Sequence, residues 1–294
     1  MTIGTYEERL LKARDILTAP DVYLQDGLVS CHNHEFMASP AFASAYQRGV
    51  AAAGCDYGWH WRVHIGLWAA GIAAELPGDF VECGVNAGFM SSSIMHALDW
   101  NARDKTFWLL DTFAGVDERY VSDQEKSAGI LAKNQAMIDS GFYVLDFEKV
   151  KRNFAEWRRV KLVKGSIPET LPRVDAERIA FLHIDMNCAP PEVAALRYLW
   201  DRLVPGAPVL LDDYAYYGYR PQKLAMDELT AQLGAAIASL PTGQGLLIKP
   251  ANAAAASRPG AKASVSFSER QGGREPSRPA SGSLISRLAR VLRG

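Results

Sequence analysis

Two apolar runs in the second half of the chain end in carboxylates: Ile179-Ala180-Phe181-Leu182-His183-Ile184-Asp185 and Val209-Leu210-Leu211-Asp212-Asp213. Short runs of this kind read as buried strands, and neighbouring strands of a parallel sheet bring the residues at their C-terminal ends together. Three carboxylates gathered there repel one another unless a cation sits between them. Oxygen ligands without a His or Cys partner select a hard ion, so Asp185, Asp212 and Asp213 are candidate ligands of Mg²⁺, with Mn²⁺ or Ca²⁺ as substitutes. An ion held in this way would chelate two adjacent substrate oxygens and lower the pKa of a hydroxyl. Asp185 is then a candidate proton acceptor. His183 stands two residues earlier on the same face of its strand; it is either a second candidate base or a hydrogen-bonded core histidine. The competing explanation of the aspartates, that two of them cap the turns that follow, stays open.

A second candidate site is Phe80-Val81-Glu82-Cys83-Gly84-Val85-Asn86-Ala87-Gly88, a buried strand that runs through a glycine-containing turn into a helix. Such a turn lets the backbone approach a ligand, and the helix N-terminus favours negative charge. Asn86 occupies the second glycine position of G-x-G-x-x-G, which disfavours NAD; E-x-G-x-x-x-G is the form expected where a methionine carboxylate meets the turn. Glu82, Gly84, Val85, Asn86 and Gly88 are therefore expected to receive the methionine end of S-adenosylmethionine, and a ligand-free strand-to-helix turn is the alternative. The next strand ends at Leu110-Asp111-Thr112-Phe113, where Asp111 could accept both ribose hydroxyl protons, with Thr112 beside it. Asp111 as a turn or cap aspartate is the competing view. Gly165 and Ser166, after the third strand, lie where a loop of this architecture passes the adenine.

These residues need a scaffold, and from Gly78 onward the chain alternates short strands with helices, the pattern of a parallel α/β sheet. Strands are expected at Phe80–Cys83, Thr106–Leu110, Val160–Val163, Arg178–Ile184 and Ala207–Leu211. Helices fit at Phe89–Trp100, Phe147–Trp157, Pro191–Arg202 and Pro221–Leu233, with a helical insertion over Ser122–Ser140. Ala236–Leu240 and Gly245–Lys249 flank Pro241-Thr242-Gly243-Gln244 as a closing antiparallel hairpin. The result is a Rossmann-like, mostly parallel seven-stranded sheet over residues 77–250. Residues 1–76 read as a helical extension or lid, with helices at Tyr6–Leu17, Pro40–Ala53 and Tyr57–Glu75 and no strand-like alternation. His32, His34, His60 and His64 lie in that lid, and Tyr214, Tyr216, Tyr217 and Tyr219 follow the acidic pair.

Composition narrows the function. Residues 251–294 carry eight Lys/Arg against two Asp/Glu, and residues 1–250 carry 24 against 31, so the folded part is acidic and a nucleic-acid substrate is disfavoured. Cys31, Cys55, Cys83 and Cys188 form no C-x-x-C pair, which fits a reduced, cytoplasmic setting. The apolar run from Ile65 to Ala74 is far short of the about 20 residues of a membrane span. Residues 251–281 read as a disordered linker, and Leu284, Ile285, Leu288, Val291 and Leu292 recur at helical spacing among arginines. That short helix would attach the enzyme weakly to the inner membrane surface or to a partner.

V-E-C-G-V at 81–85, L-L-D-T-F-A-G at 109–115, K-G-S-I-P-E-T-L-P at 164–172, H-I-D at 183–185, L-V-P-G at 203–206, L-D-D-Y at 211–214 and P-T-G-Q-G at 241–245, in this order, resemble the macrocin O-methyltransferase (TylF/MycF-like) family. The resemblance implies an S-adenosylmethionine-dependent, Mg²⁺-dependent enzyme that methylates hydroxyls of deoxysugars on natural products. It also implies that Asp185, Asp212 and Asp213 match the family's metal ligands. Two departures stand out: the family follows the first metal aspartate with an acid two residues on and then a Tyr, where this chain has Asn187 and Cys188, and Gly88 is followed by Phe89 and Met90. The expected acceptor is a sugar or glycosylated small molecule or glycan. A catechol or other phenolic diol, a nicotinamide-dependent enzyme and a non-catalytic cofactor-binding scaffold are the alternatives, and a homo-oligomer is allowed.

Overall fold

A computed structural model of the chain describes residues 5–251. The basic tail and the helix expected near 284–293 lie outside those residues. The described chain divides into two compact units, one of residues 5–23 and 29–32, the other of residues 24–28 and 33–251.

The smaller unit contains α1 (Tyr6–Leu17), opened by a capping box in which Thr5 accepts from the Glu8 N–H and the Glu8 carboxylate accepts from the Thr5 N–H. Two short strands, β1 (Tyr23–Gln25) and β2 (Leu28–Ser30), are joined through Asp26 and Gly27, both at positive φ (52° and 71°). Two consecutive left-handed residues make the turn whose twist suits a hairpin, and Asp-Gly is a favoured pair for it. The expectation of an N-terminal region without strands is corrected here: three-residue strands are too short to show alternation.

In the larger unit α2 (Pro40–Ala53) and α3 (His60–Ala74) precede β3 (Asp79–Cys83), α4 (Phe89–Ala97) and β4 (Phe107–Asp111). The insertion follows as α5 (Asp123–Ser127) and α6 (Ile130–Asp139), broken at Gly129 where one helical stretch was expected. Next come α7 (Phe147–Asn153), β5 (Val160–Lys164), β6 (Ile179–Ile184), α8 (Ala189–Leu199), β7 (Pro208–Leu211), α9 (Arg220–Gln232), β8 (Ala238–Ser239) and β9 (Gly245–Ile248). The seven strands of the sheet run in the order β5-β4-β3-β6-β7-β9-β8. β3 to β7 are parallel, and β9 pairs antiparallel with β7 and β8.

Alternation along the strands divides the core in two. Phe80, Phe107, Phe181 and Leu210 pack with Trp100 and with residues of α2, α3 and α4. Val81, Trp108, Leu110, Leu182, Val209 and Leu211 face the other way, toward Leu196, Leu199, Met226 and Leu229 of α8 and α9. The first two helices after the hairpin are thus part of the sheet's own unit.

The chain builds outward from β3 to β5 and then returns to lay β6 on the opposite side of β3, so the switch point of the sheet lies between β3 and β6, where open α/β sheets bind ligands. The two strand ends meet closely there. Gly84 has φ +91°, and a Cβ at this position would stand 1.7 Å from the Asp185 carbonyl oxygen. Neither the backbone conformation nor the space admits another residue. Gly84→Ala is expected to cost about 3 kcal/mol or more of stability, read as a shift in a urea denaturation curve; an unchanged midpoint would contradict this packing.

Candidate active site

The turn after β3, the end of β4 and the loop after β5 come together as the motifs require. Asn86 takes a positive φ of 50°, which Asn tolerates better than most side chains. Its side-chain amide donates to the Phe142 carbonyl (3.0 Å) and its Oδ1 accepts from the Val144 N–H (2.8 Å), which clamps the segment after the insertion helices against the turn. Asp111 accepts at Oδ2 from the N–H groups of Val85 (2.7 Å) and Asn86 (2.9 Å), and at Oδ1 from the Phe113 N–H (2.6 Å). This aspartate therefore shapes the glycine turn with its own bonds, whatever ligand it also meets.

Gly84, Val85, Asn86, Asp111, Thr112, Gly165 and Ser166 all line a cavity of about 400 Å³, a volume within the usual range for small-molecule sites. Two of the residues expected at the cofactor do not. Glu82 is buried beneath the site, against His183, and Gly88 opens α4 with no room for a Cβ before the Phe154 ring.

Asp185, Asp212 and Asp213 line the same cavity. The parallel register of β6 and β7, Ile184 beside Leu211, sets the three at adjacent strand ends. They are not equivalent. Asp212 is buried, with Oδ2 and its backbone carbonyl both accepting from Arg62 and Oδ1 accepting from Gln244 Nε2 at 2.9 Å. Burial alone would raise its pKa, but the Arg62 guanidinium outweighs burial and holds the carboxyl well below the usual range. Asp213 has Arg62 no closer than 3.9 Å, and burial with the neighbouring Asp212 pushes it up to about 7. Burial and the same two aspartates push Asp185 well above an ordinary carboxyl. Among the described residues no three His, Cys, Asp or Glu side chains are arranged to hold a metal ion. All three aspartates border the cavity, and of them Asp212 has both carboxylate oxygens bonded to protein donors.

His183 is 2% exposed and off the cavity wall. In the register of β3 and β6 it stands beside Glu82, whose Oε1 lies 2.8 Å from its Nδ1, while Nε2 points at Asp212 Oδ1 from 3.8 Å. Burial lowers the imidazole pKa, but contacts with Asp212 and Glu82 outweigh it and push it up to about 10. The ring lies off the cavity wall, between two carboxylates. The N-terminal histidines are also off the wall: His60 stacks on Tyr46 at 4.1 Å and His64 on Phe36 at 4.0 Å.

Arg62 is the site residue that the sequence reading missed. It is 3% exposed, donates from Nε to Asp26 at 2.5 Å and lies over the Tyr216 ring at 4.6 Å. The signal was present, since Arg62 is the one Lys, Arg, Asp or Glu in the largely apolar α3, and a buried charge needs partners. Gln244 was overlooked in the same way, inside P-T-G-Q-G. On the opposite wall Lys133 of α6 contacts the Tyr219 hydroxyl, which donates to Asn187 Oδ1 at 2.7 Å. Asn187 thus sits in the tyrosine network where the family pattern has an acid. Of the tyrosine run, Tyr216 and Tyr219 line the cavity and Tyr217 is 91% exposed.

Comparison with known proteins places this geometry. A family model described as macrocin-O-methyltransferase (TylF) matches residues 68–233, from α3 to the end of α9. The chain belongs to the TylF macrocin O-methyltransferase family. Among curated proteins it is 28% identical over 172 residues to a demethyldecarbamoylnovobiocin O-methyltransferase of Streptomyces niveus, covering 55% of this chain and 61% of that one. It is 30% identical over 151 residues to an 8-demethyl-8-(2,3-dimethoxy-alpha-L-rhamnosyl)-tetracenomycin-C 4'-O-methyltransferase of Streptomyces olivaceus, covering 49% and 56%. The match spans about three fifths of the length of these TylF-like relatives. The solved structure of the O-methyltransferase NovP superposes with a TM-score of 0.58 at 21% identity, covering 74% of this chain and 97% of that one, and establishes the Rossmann-like methyltransferase fold.

The Glu82–His183 pair gives a pH signature. The folded chain holds the imidazole proton up to about pH 10, whereas the unfolded chain releases it near 6.5. The pair's contribution is fully present below pH 6.5 and is lost as pH rises toward 10. Urea denaturation at pH 6.5 and pH 9 is expected to show a loss of stability in the wild type that is smaller in a Glu82→Gln, His183→Asn double variant; equal losses would contradict the protonated pair.

Proposed function

We propose that this chain transfers a methyl group from S-adenosylmethionine to a hydroxyl of a sugar or glycosylated small molecule, assisted by a divalent metal. The observation that carries the proposal is one cavity bounded on one side by the Gly84–Asn86 turn, Asp111 and Gly165-Ser166, and on the other by Asp185 and Asp213. Membership of the TylF family, and a relative whose name specifies a rhamnosyl 4'-O-methylation, support the acceptor class. The aromatic side chains of Trp59, Tyr216 and Tyr219 on the wall suit the faces of a sugar ring.

The carboxylates fit a hard cation, because burial and the neighbouring Asp212 disfavour the charged form of both Asp185 and Asp213, and a positive charge beside them offsets that cost. Asp185 and Asp213 would hold Mg²⁺ or Mn²⁺, which when bound would chelate acceptor oxygens and favour the ionised hydroxyl. The chain's own residues do the rest. The turn from Gly84 to Asn86, braced by Asp111, seats the methionine end, and Thr112, Gly165 and Ser166 border the nucleoside. Trp59 and Tyr216 restrict how an acceptor lies, so that its oxygen, the methyl carbon and the sulfur fall in line. Asp185 takes the hydroxyl proton, the oxygen forms its bond to the methyl carbon, and the bond from carbon to sulfur breaks to leave a thioether.

We also propose a cytoplasmic enzyme whose tail, basic and apolar at helical spacing in sequence, makes a weak contact with a membrane surface or partner; loss of liposome flotation on ending the chain at Ala251 is the expected result. Among the described residues no helix is long and apolar enough to cross a membrane.

Titration calorimetry tests the cofactor. S-adenosylhomocysteine is expected to bind with a Kd in the micromolar range, about -8 kcal/mol, and NAD not to bind. Asp111→Asn is expected to weaken that binding by about 1.5–3 kcal/mol, since the charge and one of the two acceptor oxygens are replaced by a neutral donor facing the turn N–H groups or the ribose. Binding of NAD without the sulfur compound would overturn the proposal.

A further inference from the structure

Arg62 is a buried cation inside a pocket assigned to a metal. Its guanidinium engages the backbone carbonyl and Oδ2 of Asp212, and Asp26 Oδ2 at 2.5 Å, while Asp213 lies 3.9 Å away. Gln244 Nε2 occupies the other Asp212 oxygen at 2.9 Å, and Gln244 is itself fixed by the Thr242 hydroxyl, which donates to its Oε1 at 3.0 Å. Both Asp212 oxygens are thus satisfied by protein donors, whereas Asp185 and Asp213 are left to the cavity. The aspartate that the family pattern supplies as a third ligand is held in this chain by an organic cation from α3.

Resting on the metal reading above, we infer that Arg62 competes with the divalent cation for Asp212, so that this chain binds the metal through two carboxylates and sets its affinity through the Arg62–Asp212 pair. Affinity for a hard cation follows the number of charged ligands it can recruit. A buried Arg–Asp pair with good geometry gives up its aspartate only if the guanidinium finds other partners; Asp26 already accepts from it at 2.5 Å, with Asp213 farther off at 3.9 Å. The hairpin turn Asp26-Gly27 is thereby tied to the metal pocket, since Asp26 holds the Arg62 Nε and keeps the guanidinium pointed at Asp212. The pair makes Asp212 a positioning residue for Arg62 and the cavity floor in place of a ligand.

The test is Mn²⁺ binding to the full chain, followed by the loss of the free-ion electron paramagnetic resonance signal. Asp212→Asn alone is expected to leave Mn²⁺ affinity within about twofold of wild type, because the third carboxylate is not in use. Arg62→Met is expected to tighten binding by about tenfold as Asp212 is released, and adding Asp212→Asn is expected to cancel that gain. Gln244→Met frees one Asp212 oxygen without changing any charge; about threefold tightening, again only when residue 212 is Asp, carries the test if the Arg62 variant does not fold. Tightening by Arg62→Met that persists with Asp212→Asn would reduce Arg62 to a general field effect and overturn the inference, as would a Kd equal in all variants. Absence of Mn²⁺ binding in wild type and every variant would remove the metal reading itself, and the competition with it.

Discussion

The site depends on a line of buried ionisable groups that alternate in sign: Glu82, His183, Asp212, Arg62 and Asp26. Glu82 lies 2.8 Å from one imidazole nitrogen, the other nitrogen lies 3.8 Å from Asp212, Asp212 accepts from Arg62, and Arg62 donates to Asp26 at 2.5 Å. None of these groups is stable alone in a dry interior, because a buried charge without a partner costs several kcal/mol. Together they run from the middle of the sheet to the turn of the N-terminal hairpin, and the two aspartates beside the line are left to face the cavity. The chemistry proposed for Asp185 and Asp213 is the part of the charge balance that the protein does not settle internally.

The line is a product of topology. Placing β6 next to β3 puts His183 beside Glu82 in register, and placing β7 next to β6 brings Asp212 to the end of the same face. The antiparallel β9 then carries Gln244 against Asp212 from the other side. Helix α3 contributes the guanidinium that completes the line, so this helix before the sheet belongs to the candidate site's electrostatics as well as to the core. The glycine turn obeys the same crowding, since Gly84 is dictated by the Asp185 backbone as much as by any ligand.

The parallel strands, their order of helices and the closing hairpin were legible in the sequence because long apolar runs and turn residues carry those signals locally. Seven of the nine residues expected at the cofactor line the cavity, because strand ends on a parallel sheet converge wherever the fold is right. Partner choice was not legible. Glu82 reads as a ligand in E-x-G-x-x-x-G, and the partner its carboxylate meets is a histidine 101 positions away. The Arg62–Asp212 pair was hidden for a similar reason: the two residues are 150 positions apart, and sequence spacing holds no information about which side chain reaches a carboxylate. The hairpin around Asp26 was missed because its strands are three residues long, below the length at which a period of two can be seen.

The central claim is that the wall of Asp185 and Asp213 is chemical and the wall of Gly84 to Asn86 is for binding. It is tested most directly by following an isotopically labelled methyl group from S-adenosylmethionine onto a panel of rhamnosides and phenolic diols, with wild type and Asp185→Asn side by side. The account predicts transfer to a glycoside hydroxyl by the wild type, and loss of that transfer in Asp185→Asn while S-adenosylhomocysteine binding is kept. Undiminished methyl transfer by Asp185→Asn would contradict it.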